Sequence, residues 1–157
     1  MADIIEIVEL SKLYLDAFDK RNERFILWTT GQVYEIVQET LHKITNQITK
    51  ENDFFKSNLY VSTGENKING LSIRSGKLSI PASNEFEGGF EICFTPLFNG
   101  KIHVYVFEHS LNDSHPKHHT IAVVDNLSDI TEQAVIDYVY TALNIVYKSS
   151  LLFAGEE

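Results

Sequence analysis

Residues 89–109 of this 157-residue chain, GFEICFTPLFNGKIHVYVFEH, give the clearest indication of its fold. It holds two runs in which apolar residues alternate with other residues, and a period of two is typical of β-strands. Asn99-Gly100 separates the runs and predicts a β-hairpin, because both residues tolerate a positive φ angle. Such a short connection makes the two strands antiparallel neighbours. The second run carries large side chains on both faces, which indicates an interior strand.

Strand patterns extend in both directions from this hairpin, between residues 59 and 125. Polar or glycine-containing turns separate the patterns from one another. Because the connections are short, the strands are expected to form an antiparallel meander sheet of five to six strands. The predicted strands are 59–63, 70–74, 77–81, 89–95, 101–109 and 119–125.

Two helical patterns precede the strands. The first covers residues 3 to about 20, where Asp3 and Glu6 match a capping box at the helix start. Its apolar side contains Ile4, Ile7, Val8, Tyr14, Leu15 and Phe18. The second helix is predicted from residues 30–31 to about residue 50. The run 24–30 between the two helices fits either a buried connection or a short strand.

The predicted C-terminal helix, from Ser128 or Asp129 to about Leu152, is unusually apolar. Its start is assigned to a capping box of Asp129 and Glu132. Its polar residues form one stripe about 80° wide, so most of the helix surface needs cover. A sheet beneath and a second helix alongside would provide this cover, and a partner protein is the alternative. The side chains proposed for a partner contact are Tyr138, Val139, Tyr140, Leu143 and Tyr147.

Together these elements predict a single α+β domain over residues 1–157. It has two N-terminal helices, the antiparallel meander, and a long C-terminal helix packed on one face of the sheet. A length near 150 residues favours one domain over two. The 43% hydrophobic and 22% charged residues are close to the average of globular proteins.

The charge and cysteine content exclude some classes of function. There are 22 acidic and 13 basic residues, and the formal net charge of −9 argues against a general nucleic-acid binder. More than half of this charge falls in the last 33 residues, around the apolar helix. Cys93 is the only cysteine, which favours a reducing compartment. With no basic leader and no long apolar window, the expected location is the cytoplasm, away from any membrane.

Four of the six histidines fall within residues 109–119, which lie between two predicted strands. Imidazole binds zinc and other transition metals, so this segment is a candidate metal site. However, adjacent histidines in a strand point to opposite faces, and the spacing matches no specific metal motif. A solvated loop without a cofactor is therefore the first expectation. The candidate ligands are His109, Asp113, His115, His118 and His119.

No complete catalytic set is present in the sequence, and the Gly-x-Ser-x-Gly elbow of serine hydrolases is absent. We therefore assign no catalytic residues and expect a non-enzymatic interaction module of the adaptor, chaperone or immunity-protein type. The apolar acidic C-terminal helix or a sheet edge would bind another protein or a second copy of this chain. The alternative is a metal- or small-ligand-binding domain, with hydrolysis as one chemistry, that uses the segment 109–119.

Overall fold

A computed structural model describes residues 1–56, 58–63, 70–75, 78–80, 85–87, 89–97, 100–109 and 117–153. Its three helices are α1 (Ile4–Thr30), α2 (Gln32–Glu51) and α3 (Glu132–Phe153). Short 3₁₀ turns at Asp53–Lys56 and Leu127–Asp129 precede β1 and α3. The strands are β1 (Leu59–Thr63), β2 (Leu71–Ser75), β3 (Leu78–Ile80), β4 (Glu85–Glu87), β5 (Gly89–Pro96), β6 (Ile102–His109) and β7 (Lys117–Val124).

The main sheet has five antiparallel strands in the order β1-β2-β5-β6-β7. This confirms the α+β class and the antiparallel sheet. The pairing differs from an unbroken meander, because β2 pairs with β5 and not with β3. β3 pairs instead with β4 in a separate two-stranded ladder. The predicted strand at 77–81 thus forms, as β3, but it lies outside the main sheet because it pairs with the nearby segment 85–87.

The predicted hairpin joins β5 and β6. Pairing runs from Gly89 opposite His109 to Pro96 opposite Ile102. At the turn, the Leu97 N–H donates to the Lys101 carbonyl oxygen at 2.8 Å, and the Gly100 N–H donates to the Leu97 carbonyl oxygen at 2.9 Å. Gly100 has a φ angle of +82°, which glycine adopts without steric cost. Asn99 lies outside the described residues.

Helices α2 and α3 cover one face of the main sheet. Strand residues that alternate along β5 and β6 meet apolar side chains of both helices in one core. Helix α3 packs against β5, β6 and β7, and α2 lies beside it. The sheet and α2 thus cover much of the described apolar surface of α3, while Tyr140 and Tyr147 are exposed. The buried core includes Val37, Leu41, Ile92, Phe94, Val104, Val106, Val135, Val139 and Ala142.

Helix α1 starts as predicted but is longer. The Asp3 carboxylate accepts the Glu6 N–H at 2.9 Å, and the reciprocal bond completes the capping box. The run 24–30 continues this helix and is neither a strand nor a separate connection. The helix ends at Gly31, whose N–H donates to the Leu27 carbonyl oxygen at 2.9 Å. A Cβ at this position would lie 2.3 Å from that oxygen, so only glycine fits the junction with α2.

The start of α3 differs from the predicted capping box. Asp129 lies in the preceding 3₁₀ turn, where its N–H donates to the Asn126 carbonyl oxygen at 3.0 Å. Thr131 caps the helix, since its hydroxyl oxygen accepts the Ala134 N–H at 3.1 Å. The Asn126 side chain accepts the Ser128 N–H and begins the 3₁₀ turn, which moves the helix start past Asp129.

Candidate functional site

The first twenty residues of the chain are all exposed to solvent, although Ile4–Lys20 belong to α1. This part of the helix is about 25 Å long, at 1.5 Å per residue. Nine large apolar side chains within it are between 46% and 78% exposed. They are Ile4, Ile5, Ile7, Val8, Leu10, Leu13, Tyr14, Leu15 and Phe18.

Helix α1 is attached to the domain by its C-terminal turns. The Trp28 side chain is fully buried and meets the Tyr34 ring edge-on, at 5.7 Å between centroids. The aliphatic part of Arg24 lies over Gly100, where an added Cβ would be 2.6 Å from the Arg24 Cδ. Arg21 is half-buried, with its guanidinium carbon 5.7 Å from the centre of the Tyr14 ring. The N-terminal part of the helix is therefore the free part.

One side of the free part is apolar, and we call it the α1 stripe. At 100° per residue its members fall within about 120° of one another on the helix surface. Leu13 lies on the opposite side of the helix. The stripe consists of Ile4, Ile7, Val8, Tyr14, Leu15 and Phe18, the same residues that the sequence pattern grouped together.

Charged residues along α1 are distributed unevenly. Residues 3–9 contain three acids and no base: Asp3, Glu6 and Glu9. Residues 20–24 contain three bases, Lys20, Arg21 and Arg24, with the single acid Glu23. The free end of the helix is thus negative, and the end attached to the domain is positive.

The five side chains proposed on α3 do not form one accessible surface. Val139 is 3% exposed and belongs to the core. Tyr138 and Leu143 are half-buried against that core, with the Tyr138 ring 6.3 Å from the Phe94 ring. Tyr140 and Tyr147 are 72% and 62% exposed and lie two turns apart on one side. Of these five side chains, only Tyr140 and Tyr147 are accessible to a partner.

The candidate metal ligands are only partly within the described residues. His109 ends β6, while Asp113 and His115 lie outside the described ranges. His118 and His119 point to opposite faces of β7, as their adjacency predicted, so they do not bind one ion together. Within the ranges that the structure describes, no three His, Cys, Asp or Glu residues are placed to hold a metal ion.

His118 belongs to a cluster of rings on the sheet face opposite the helices. Its ring is 5.5 Å from His103, 4.9 Å from Tyr105 and 5.0 Å from Phe107. His103 Nε2 lies 3.0 Å from the Thr120 hydroxyl oxygen. Burial, and second the charge of His118, lower the pKa of His103 below its ordinary value. These rings pack against one another and cover the outer face of the sheet.

His119 is hydrogen-bonded to Glu108 on the helix side of the sheet. Its Nε2 atom lies 3.0 Å from the Glu108 Oε2 atom. The Glu108 side chain is only 10% exposed, whereas the His119 side chain is 39% exposed. The pair therefore satisfies a carboxylate at the rim of the core.

An open groove of about 320 Å³ lies between α2 and the start of α3. The ion pair of Lys43 and Glu132 crosses it, with 2.7 Å between Nζ and Oε1. The hydrogen bond and the charge of Glu132 raise the pKa of Lys43. This groove is open to solvent, and an exposed ion pair bridges it. Its lining residues are Ile36, Glu39, Thr40, Lys43, Thr131 and Glu132.

The fold and these sites define an α+β domain with a free, partly apolar helix at its N-terminal side. Comparison of the chain with protein-family models, with curated proteins and with solved structures gave no match. In the part of the chain that the structure describes, no helix has the length and apolar character required to cross a bilayer.

Proposed function

We propose that this protein is a non-enzymatic interaction module that binds another protein chain through α1. The observation that carries the proposal is the exposed apolar surface of Ile4–Lys20. Monomeric proteins rarely expose contiguous apolar patches larger than a few hundred Å², and larger patches mark interaction sites. A free helix of this length is marginal in water, so a partner that covers the α1 stripe would also stabilise the helix.

The other two surfaces considered from the sequence are less favourable for binding. On α3, the sheet and α2 already cover most of the apolar surface. The sheet edges are β1 and β7. The five-residue β1 is short, and the pairing of β7 with β6 shifts register beside Tyr105. Short and irregular edge strands are features that reduce edge-to-edge pairing.

The charge of α1 favours a protein partner over a membrane surface. Helices that lie in a bilayer interface carry many Lys and Arg residues on their polar side. Residues 3–24 of this chain contain six acids and four bases. Anionic lipid headgroups would repel the acidic free end. Together with the net charge of −9 and the single Cys93, this supports a cytoplasmic protein that binds neither membranes nor nucleic acids.

A photoreactive amino acid at Ile7, on the α1 stripe, tests the proposal in the cell that produces the protein. We expect a discrete adduct with a protein chain from this position, and none from the same probe at the exposed Thr141 on α3. Leu15→Glu should abolish the adduct because it places a charge on the stripe. The matched control is Leu13→Glu, on the opposite side of the same helix, which should retain it. If no adduct forms at Ile7, α1 is not the binding surface and the proposal is wrong.

A metal- or small-ligand-binding domain is the second candidate. It is supported by the Glu108–His119 pair, because carboxylates often orient metal-binding histidines through a hydrogen bond. Elemental analysis of untagged protein tests it. A stoichiometric transition metal, lost in His119→Ala, would support this function. A content below about 0.2 equivalents, with no effect of zinc on Tm, would reject it.

A further inference from the structure

We infer that the chain covering α1 is a second copy of α1, packed antiparallel in a two-fold homodimer. This inference rests on the proposed function of α1 and specifies its partner. Four features of the free helix support it: the charge distribution, a seven-residue repeat, the exposed area and the environment of Arg21.

The charges of α1 favour an antiparallel copy over a parallel one. Residues 3–9 carry three negative charges, and residues 20–24 carry three positive charges against one negative. An antiparallel pair places the acidic residues 3–9 opposite residues 17–23 of the other copy, where Lys20 and Arg21 balance Asp19 and Glu23. A parallel pair would place like charges together, which is unfavourable. An antiparallel two-fold pair also stops at two copies, because both copies use the same surface and none of it is left for a third.

A coiled-coil seam runs along the α1 stripe and also includes Ser11 and Asn22. Two sets of residues repeat every seven positions and are offset by four: Ile4, Ser11 and Phe18 in one set, and Val8, Leu15 and Asn22 in the other. This spacing keeps one line of side chains on the same side of the helix. The Ser11 hydroxyl donates to the Val8 carbonyl oxygen at 2.6 Å, so it needs no partner across the seam.

The seam also determines the register of the pair. When the two-fold axis crosses the seam at the height of residue 13 along the helix, residues of one set meet residues of the other set, as in antiparallel coiled coils. This arrangement overlaps the two free helices over nearly their whole length. The layers that result are Ile4 opposite Asn22, Val8 opposite Phe18, and Ser11 opposite Leu15 of the second copy.

The exposed area is close to that of a stable dimer. The six side chains of the α1 stripe are 46–78% exposed. At about 100 Å² each, they offer on the order of 600 Å² per copy, before the polar flanks are counted. Each partner in a standard protein interface buries about 800 Å². Pairing through the stripe therefore approaches the area that a stable dimer requires.

Arg21 lies at the basic end of the free helix, beside the proposed interface. Its Nε atom is buried and makes no hydrogen bond to any residue within the described ranges. Asp3 falls on the same side of the helix, because 18 residues complete five turns. In the antiparallel pair, the first turn of the second copy, with Asp3 and Glu6, comes beside Arg21. The pair thus supplies carboxylate acceptors near this guanidinium.

Sedimentation equilibrium of the full chain tests the dimer. We expect the mass of two copies at micromolar concentration for the wild type. Leu15→Glu should raise the dissociation constant about tenfold or more, because it places a charge in a central layer. The control Leu13→Glu changes the net charge equally on the opposite side of the helix, and should change the constant less than about threefold. A monomeric wild type would overturn the inference.

Disulfide trapping tests the orientation. Ile4→Cys and Asn22→Cys are made separately, mixed and oxidised; the native Cys93 is buried and does not compete. The antiparallel pair predicts a disulfide between the two different variants, and little between identical ones. Disulfides between identical variants only would show a parallel pair and overturn the inference.

The two proposals fail separately. If the wild type is monomeric but the probe at Ile7 gives an adduct with a different protein, α1 is an interaction surface and the homodimer is wrong. If the wild type is monomeric and no adduct forms, both proposals are wrong.

Discussion

The ring of Trp28 meets the ring of Tyr34 edge-on, with their centroids 5.7 Å apart and their planes at 82°. Trp28 is fully buried, although the first 17 residues of its own helix are exposed. The contact joins the end of α1 to the start of α2 across Gly31. One buried side chain thus fixes the point at which the free helix leaves the domain.

Removing the Trp28 ring should destabilise the whole domain. Trp28→Ala deletes a fully buried side chain, and such truncations cost about 3–5 kcal/mol because a cavity remains. Urea unfolding followed by circular dichroism measures the change. Tyr140→Ala, at a residue that is 72% exposed, serves as the control and should change stability by less than about 0.5 kcal/mol. Equal effects of the two variants would show that Trp28 is not part of the core.

Gly31→Ala should destabilise the junction between α1 and α2. The new Cβ would lie 2.3 Å from the Leu27 carbonyl oxygen, so the backbone must shift. The φ angle of Gly31, −94°, is accessible to alanine. The expected loss of stability, about 1–3 kcal/mol, therefore comes from the steric clash and not from backbone strain. Thermal unfolding measures it. Gln32→Ala, at the exposed neighbouring residue, is the control. A Gly31→Ala variant as stable as this control would contradict the steric account.

The pKa of His103 should lie below its ordinary value of 6.5, because burial and the charge of His118 disfavour its protonated form. Protonation then favours the unfolded chain. The stability contributed by His103 is therefore complete above pH 6.5 and is lost as pH falls through the folded-state pKa. Histidine titration by NMR measures this pKa.

A His118→Gln variant should raise the pKa of His103 only partway, because burial is the larger cause. His103→Gln should make stability less sensitive to pH between about 7 and 5. A His103 that titrates at or above 6.5 in the wild type would contradict the packing of the ring cluster.

The partly buried hydrogen bond of His119 and the exposed ion pair of Lys43 should contribute differently to stability. His119→Ala removes a hydrogen bond to the buried Glu108 carboxylate and should cost about 1–3 kcal/mol. Lys43→Ala removes the exposed pair with Glu132 and should have little effect on stability. Urea unfolding of both variants at neutral pH compares them. A larger loss of unfolding free energy for Lys43→Ala than for His119→Ala would show that the exposed pair is the more important of the two.

The thiol of Cys93 should react only when the domain unfolds. Its side chain is 1% exposed in the interior strand β5, so a reagent has no access in the native state. The rate of reaction with an aromatic disulfide reagent should follow the unfolded fraction as urea increases. Rapid reaction without denaturant would show that this part of the sheet opens locally.

Local features of the fold were predictable from the sequence. The capping box of Asp3 and Glu6 and the hairpin at Gly100 depend on residues within a few positions of one another. The same reasoning misplaced the start of α3, because Asn126 begins a 3₁₀ turn that competes with a cap at Asp129. It also assigned segment 77–81 to the main sheet, because the alternation that indicates a strand does not show which other strand pairs with it.

The helix and strand periods, the first cap, the central hairpin and the sign of the surface charge were all predictable from the amino-acid sequence alone. Which apolar helix surface is buried against the rest of the chain depends on the tertiary structure. Both α1 and α3 have apolar sides, but α3 packs against the sheet and α2, whereas the part of α1 that precedes Arg21 is exposed. The period of apolar residues along a helix or strand depends on local backbone geometry. The burial of that apolar surface depends on residues distant in the sequence, which the period does not specify.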